Sequence, residues 1–283
     1  MNYRHAFHAG NFADVIKHIV LARILTYLQE KPAAFRIIDT HAGAGLYDLA
    51  AEAASRTGEW RDGIGRLAAA DLAPDIAALL APYRAAVAAT NGGDRLRRYP
   101  GSPLIALNLM RPQDRLVACE LEPGAAAALA ANLRRDARAR AVTIDGWVAL
   151  NAYVPPKERR GVVLVDPPYE DRYEFARLAE ALVSAHRKWA TGVFLLWYPI
   201  KDRTGPDLLA AALRRSTVSK ILRVELTCPP VETPGRLGGT GLLVINPPWR
   251  LAGELAQLLP ALRSALAISR DGGVRVDWLA GEH

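Results

Sequence analysis

Cysteine is nearly absent from this chain: its 283 residues include two, Cys119 and Cys228, far apart and inside apolar stretches. That excludes a disulfide framework and any cysteine-based metal spacing, and it suits a reducing compartment. Long hydrophobic runs are missing as well, with nothing near the roughly 20 apolar residues that span a bilayer. The first residues, MNYRHAFHAGNF, lack the basic-then-apolar pattern of a secretory signal. A soluble, cytoplasmic protein with no membrane partner is expected. No histidine or carboxylate group has ligand spacing, so no metal is expected either. Repeats, linkers and low-complexity tails are lacking, which leaves a single domain over residues 1–283. Acidic residues are outnumbered, 29 against 36 lysines and arginines, for a net charge of +7. That balance is compatible with a polyanionic partner and equally with an arginine-rich surface on an alanine-rich chain.

What is present is alternation. Phe12, Val15, Ile16, Ile19, Val20, Ile24 and Leu28 form a 3.6-residue stripe, so an amphipathic helix is expected before Pro32. Seven short apolar runs follow, at 35–39, 115–119, 142–144, 161–165, 191–197, 221–226 and 240–245. Several are apolar throughout, as in parallel strands covered on both faces. Helix-like segments at 124–135, 172–189 and 206–215 separate them, which predicts a doubly wound α/β sheet. The last connection, 227–239, is rich in proline and glycine and cannot hold a helix. The last two strands should therefore pair antiparallel. Residues 50–100 exceed what a βαβ unit needs and read as a helical insertion. A seven-stranded sheet with its last strand reversed is the Rossmann-like class I pattern of S-adenosylmethionine-dependent methyltransferases.

The residues that carry chemistry stand at strand ends. Asp39-Thr40-His41-Ala42-Gly43-Ala44-Gly45 closes the first strand with a turn whose backbone, at Gly43, can approach a ligand. Glu120 closes the second and could accept ribose hydroxyls; alone it would pass for a surface carboxylate. Asp145-Gly146 closes the third and could receive an adenine amine, or be an ordinary turn. The sharpest signal is Asp166-Pro167-Pro168-Tyr169 after the fourth. Asp166 and the Pro167 carbonyl can both accept hydrogen bonds from an exocyclic amine, and Tyr169 offers a face to a flipped base. Asn246-Pro247-Pro248-Trp249 looks similar but follows a reversed strand, so it is expected at the opposite edge as a strand terminator with a packing tryptophan. Arg4, Arg95, Arg97 and Arg98 are candidates to grip a polyanion, or equally ordinary solvated surface.

With YRHAFHAGNFADVIKH, DTHAGAGLY and DPPYE, the chain closely resembles the RlmJ-type bacterial 23S ribosomal RNA adenine-N6 methyltransferases over essentially its whole length. The resemblance implies methylation of one adenine, adenine 2030, with S-adenosylmethionine as cofactor and 23S ribosomal RNA as partner. It implies that His18, His41, Ser102, Glu120, Asp145 and Gly146 contact the donor, that Asp166 is the catalytic acceptor at the donor's methyl, and that Tyr3 meets the RNA. Lys17, beside His18, is placed to help with the donor's carboxylate. A monomer acting on naked or early-assembly RNA is expected. Two rivals remain: a DNA adenine-N6 methyltransferase, which would need a target-reading domain not visible here, and a non-catalytic RNA-binding protein on a methyltransferase core.

Overall fold

In the computed structural model, which describes residues 5–93, 95–227, 237–266 and 272–281, the expected alternation is realised with one strand more than predicted. The central sheet has eight strands in the order β10-β8-β9-β7-β6-β1-β4-β5. Seven of them match the apolar runs: β1 (Arg36–Asp39), β4 (Arg115–Glu120), β5 (Ala139–Thr143), β6 (Gly161–Val165), β7 (Val193–Ile200), β8 (Ile221–Thr227) and β9 (Gly239–Ile245). Five adjacent strands, β5 to β7, are parallel. The reversed strand β9 lies between β7 and β8 and pairs antiparallel with both. The eighth strand, β10 (Val274–Ala280), runs antiparallel to β8 at the edge and corrects the expected count of seven. The connection leaving β8 crosses 228–236, outside the described residues along with Cys228.

Side-chain alternation distributes each central strand between two cores. In β6, Val162 and Leu164 join one core, while Val163 and Val165 join the other. The first core lies under α1 (Phe12–Leu28), α4 (Pro74–Asn91), α5 (Ser102–Leu109), α6 (Pro123–Leu133) and α10 (Leu251–Ala265). The second lies under α7 (Gly146–Ala152), α8 (Glu174–Lys188) and α9 (Thr204–Arg214). Helix α1 was expected to be amphipathic and is not, since 14 of its 17 residues are buried. The sheet covers one side, and the helices α4, α5 and α10 pack around the rest. Its polar residues are therefore core residues, and each needs a partner.

Residues 46–100 leave the sheet after β1. Short strands β2 (Leu46–Asp48) and β3 (Arg98–Pro100) pair antiparallel and frame α2 (Glu52–Thr57), α3 (Arg66–Ala69) and α4. Asn91 ties off α4: its Oδ1 accepts the amides of Arg97 and Arg98 at 2.8 Å each. Arg95, Arg97 and Arg98 are exposed on this stretch.

The look-alike loop closes the other edge, as expected. Asn246 donates from Nδ2 to the carbonyls of Ala190 and Gly192, 2.8 Å each, just before β7 begins. Trp249 corrects the expectation of a packing tryptophan, because it is 80% exposed. Leu251, the first residue of α10, takes the core position instead.

Candidate active site

Strand β1 pairs with β4 on one side and β6 on the other, while the chain runs first towards β5 and only later to β6 and β7. The crevice at that change of direction, outside the carboxyl ends of the strands, is where open α/β sheets bind ligands. A cavity of about 610 Å³ lies there. Every residue expected to touch the donor, from Lys17 to Asp166, lines it.

The glycine turn after β1 forms its floor. Gly43 has φ +60°, and a Cβ there would stand 2.2 Å from the Tyr47 hydroxyl, so any side chain is both strained and blocked. The Gly43 amide donates to Glu120 Oε2 at 2.8 Å. Glu120 Oε1 accepts from Leu121 and Glu122. Oε1 is thereby filled, while Oε2 keeps a second lone pair for a ligand hydroxyl. Asp145 caps α7, its Oδ1 accepting the amides of Trp147 and Val148 at 2.8 and 3.1 Å. Gly146 packs against the wall: a Cβ would lie 2.4 Å from the Thr40 carbonyl and 2.5 Å from the His41 ring. His41 Nδ1 meets the Thr40 hydroxyl at 2.8 Å, and its ring stands edge-on to Trp147. Burial brings His41 down to about 4, so it is neutral at physiological pH.

The N-terminal helix supplies the opposite wall. His18 Nδ1 is 2.8 Å from the Tyr99 hydroxyl, which in turn meets Tyr83. Burial lowers His18 to about 3. Lys17 bonds Asp14 Oδ1 at 2.8 Å and also contacts Asp166 Oδ2. Burial opposes its charge, but the two carboxylates outweigh burial and move Lys17 upward. Two of its three donors are thus committed to the protein, which limits what the expected contact with a donor carboxylate can use. Asp14 also accepts from His5 Nε2 at 2.9 Å if that nitrogen carries the proton.

Ser102, at the start of α5, donates to Asp39 Oδ2 at 2.6 Å. Asp39 is buried, and its Oδ1 has no partner among the described residues. Burial raises its carboxyl to about 7, with Asp166 adding to the rise. An unsatisfied buried acceptor next to a glycine cradle and two further carboxylates fits a ligand bearing an ammonium, ribose hydroxyls and an adenine. The cavity volume also suits such a ligand.

The Asp166 loop closes the site. Pro167 is buried and Pro168 lines the cavity. Tyr169 has φ +52° and donates from its hydroxyl to the Trp197 carbonyl at 2.8 Å. Its ring packs on Phe175 at 4.8 Å and Trp197 at 5.7 Å. Tyr169 does not line the cavity, so the expected stacking face stands beside it. Tyr3 and Arg4 lie outside the described residues. Sequence reasoning missed Asp39, although it ends β1 as Glu120 ends β4. It also missed Asp14, Glu174, Arg177 and Trp147, whose roles arise from packing alone.

Residues 32–280 match the family model described as ribosomal RNA large subunit methyltransferase D, RlmJ. The ribosomal RNA large subunit methyltransferase J of Escherichia coli K12 is 40% identical over 282 residues, covering 100% of both chains. The protein of the same name from Haemophilus influenzae is 39% identical over 284 residues, again covering 100% of both. A crystal structure of protein LPL1258 from Legionella pneumophila is 33% identical, with a TM-score of 0.88 over 96% of this chain and 98% of that one. This chain belongs to the RlmJ family of large-subunit ribosomal RNA methyltransferases, enzymes of Rossmann-like class I fold whose cofactor is S-adenosylmethionine.

Proposed function

We propose that this protein methylates the N6 amine of an adenine in 23S ribosomal RNA, adenine 2030 by family resemblance. The observation that carries the reading is Asp166, held by Lys17 at the mouth of the donor cavity in an Asp-Pro-Pro-Tyr loop. The cofactor supplies an electrophilic methyl group. Gly43, Glu120, Asp145 and Gly146 would hold its nucleoside end; Asp39, Ser102, His18 and His41 would hold the rest. Lys17 occupies Oδ2 of Asp166, and no hydrogen bond engages Oδ1 among the described residues. Oδ1 and the Pro167 carbonyl then accept the two N–H groups of the adenine amine, which turns its lone pair towards the cavity. Asp166 is also placed to receive the proton that the amine loses. Tyr169, rigidly anchored, borders the base once it has left its stack. Residues 50–100 are read as an insertion on a single methyltransferase domain spanning 1–283. Tyr3 and the three arginines after Asn91 would meet the RNA. The protein is read as a monomer acting on naked or early-assembly RNA in the cytoplasm; among the described residues no helix is long and apolar enough to cross a membrane.

The test offers labelled donor with naked 23S RNA, assembled large subunits and duplex DNA, and maps the methylated base. Label at one adenine of naked RNA is expected; label in DNA alone sinks the substrate reading. Asp166→Ala is expected to lose transfer by about a hundredfold or more, as removal of a positioned acid–base group does, while still binding donor.

A further inference from the structure

The lip of the cavity continues past the Asp166 loop. Glu170, Asp171, Glu174 and Arg177 all line it. Tyr173 falls between them in the chain, outside the cavity lining itself, and is 60% exposed. Its position is fixed nonetheless: Asp171 Oδ1 accepts its amide at 2.9 Å, and it is the N-cap residue of α8. The guanidinium of Arg172 lies 4.6 Å from the ring centroid and donates to the ring hydroxyl at 2.5 Å. Arg172 makes no ion pair with a carboxylate among the described residues, so its charge is directed at the aromatic ring. Tyr169, four residues earlier, already has its ring packed and its hydroxyl engaged. Tyr173 is the aromatic group of this segment with a surface to offer.

The surrounding charge selects what that surface can take. Three carboxylates against the one guanidinium of Arg177 leave the lip lining net acidic, which disfavours a phosphate. A nucleobase is uncharged and stacks on tyrosine faces and guanidinium planes. We propose that Tyr173, backed by Arg172, is a stacking platform for the unpaired base next to the target adenine, holding the RNA open while that adenine enters the cavity. This role rests on the RNA adenine reading above. Tyr173 is here a positioning residue, since it touches a neighbour of the reacting base.

The experiment compares wild type, Tyr173→Ala and Tyr173→Phe on a short synthetic RNA centred on the adenine mapped in 23S RNA. The same RNA with abasic sites flanking that adenine is the control. Tyr173→Ala is expected to raise KM for the intact RNA about tenfold, the size of one lost base–aromatic stack. Its kcat and its calorimetric donor affinity should stay near wild type, and Tyr173→Phe should restore KM. On the abasic RNA, wild type and Tyr173→Ala should coincide. An unchanged KM on intact RNA, or an equal defect on both RNAs, overturns the platform. A wild-type enzyme inactive on every RNA overturns the substrate reading beneath it.

Discussion

Burial sets the protonation of two histidines in the cavity wall and of Asp39 behind it, and their effects on stability have opposite signs. His18 and His41 are pulled down to about 3 and about 4, from an ordinary value of 6.5. Between those limits the unfolded chain binds protons that the folded one refuses, so stability is present above pH 6.5 and drains away on acidification. Asp39 moves the other way, up to about 7 from 3.8. Its contribution is greatest below pH 3.8 and is lost as pH rises through 7. Two histidines against one carboxyl leave a net loss of stability from pH 6.5 to 4.5. His18→Asn removes one of the two, so its denaturant midpoint should fall less over that window than wild type does. A steeper fall in the variant contradicts the neutral assignment. Asp39 also marks the limit of reading residues singly. It stood in plain view at the end of β1, but only the approach of Ser102 from a helix 63 positions away ties it to the cavity wall.

Elements were more legible than their edges. The carboxyl ends of β1, β4, β5 and β6 could be read because each places an acidic or glycine-rich turn directly after an apolar run. β10 escaped because it lies at the edge of the sheet: Val274, Val276 and Trp278 alternate with Arg275 and Asp277, and no unbroken apolar run marks it. Helix α1 was legible as a helix but not as a buried one, because the helices that cover its far side lie in or beyond the insertion. The start of α7 shows how closely two elements meet at the site. Gly146→Ala would place a methyl group 2.5 Å from the His41 ring and 2.4 Å from the Thr40 carbonyl. The ring must move, so donor affinity measured by calorimetry is expected to weaken tenfold or more, with the secondary structure unchanged by circular dichroism. Wild-type affinity in this variant would detach the β5–α7 turn from the donor site.

Across the molecule lysines and arginines outnumber acidic residues 36 to 29. Arg95, Arg97 and Arg98 stand exposed on a stretch that Asn91 has already ordered. That stretch runs through β3 straight to Gly101 and Ser102 at the cavity. If each arginine meets one phosphate, the variant Arg95→Gln/Arg97→Gln/Arg98→Gln should flatten the slope of log K for RNA against log salt by about two to three. An unchanged slope would place the RNA on another face. The charge total alone had pointed no further than a polyanion. The proposed RNA contact at this stretch would give it an address, which composition has no means to express.

The contact between Lys17 and Asp166 joins residues 149 positions apart. The chain's earliest helix thus holds a loop made long after it, and it does so from inside the core. A half-folded molecule with α1 undocked has no placed Asp166, whatever else it has formed. On the proposed reading of Asp166, catalytic competence is therefore a certificate of completed folding: a molecule able to mark RNA would be one whose core has already closed.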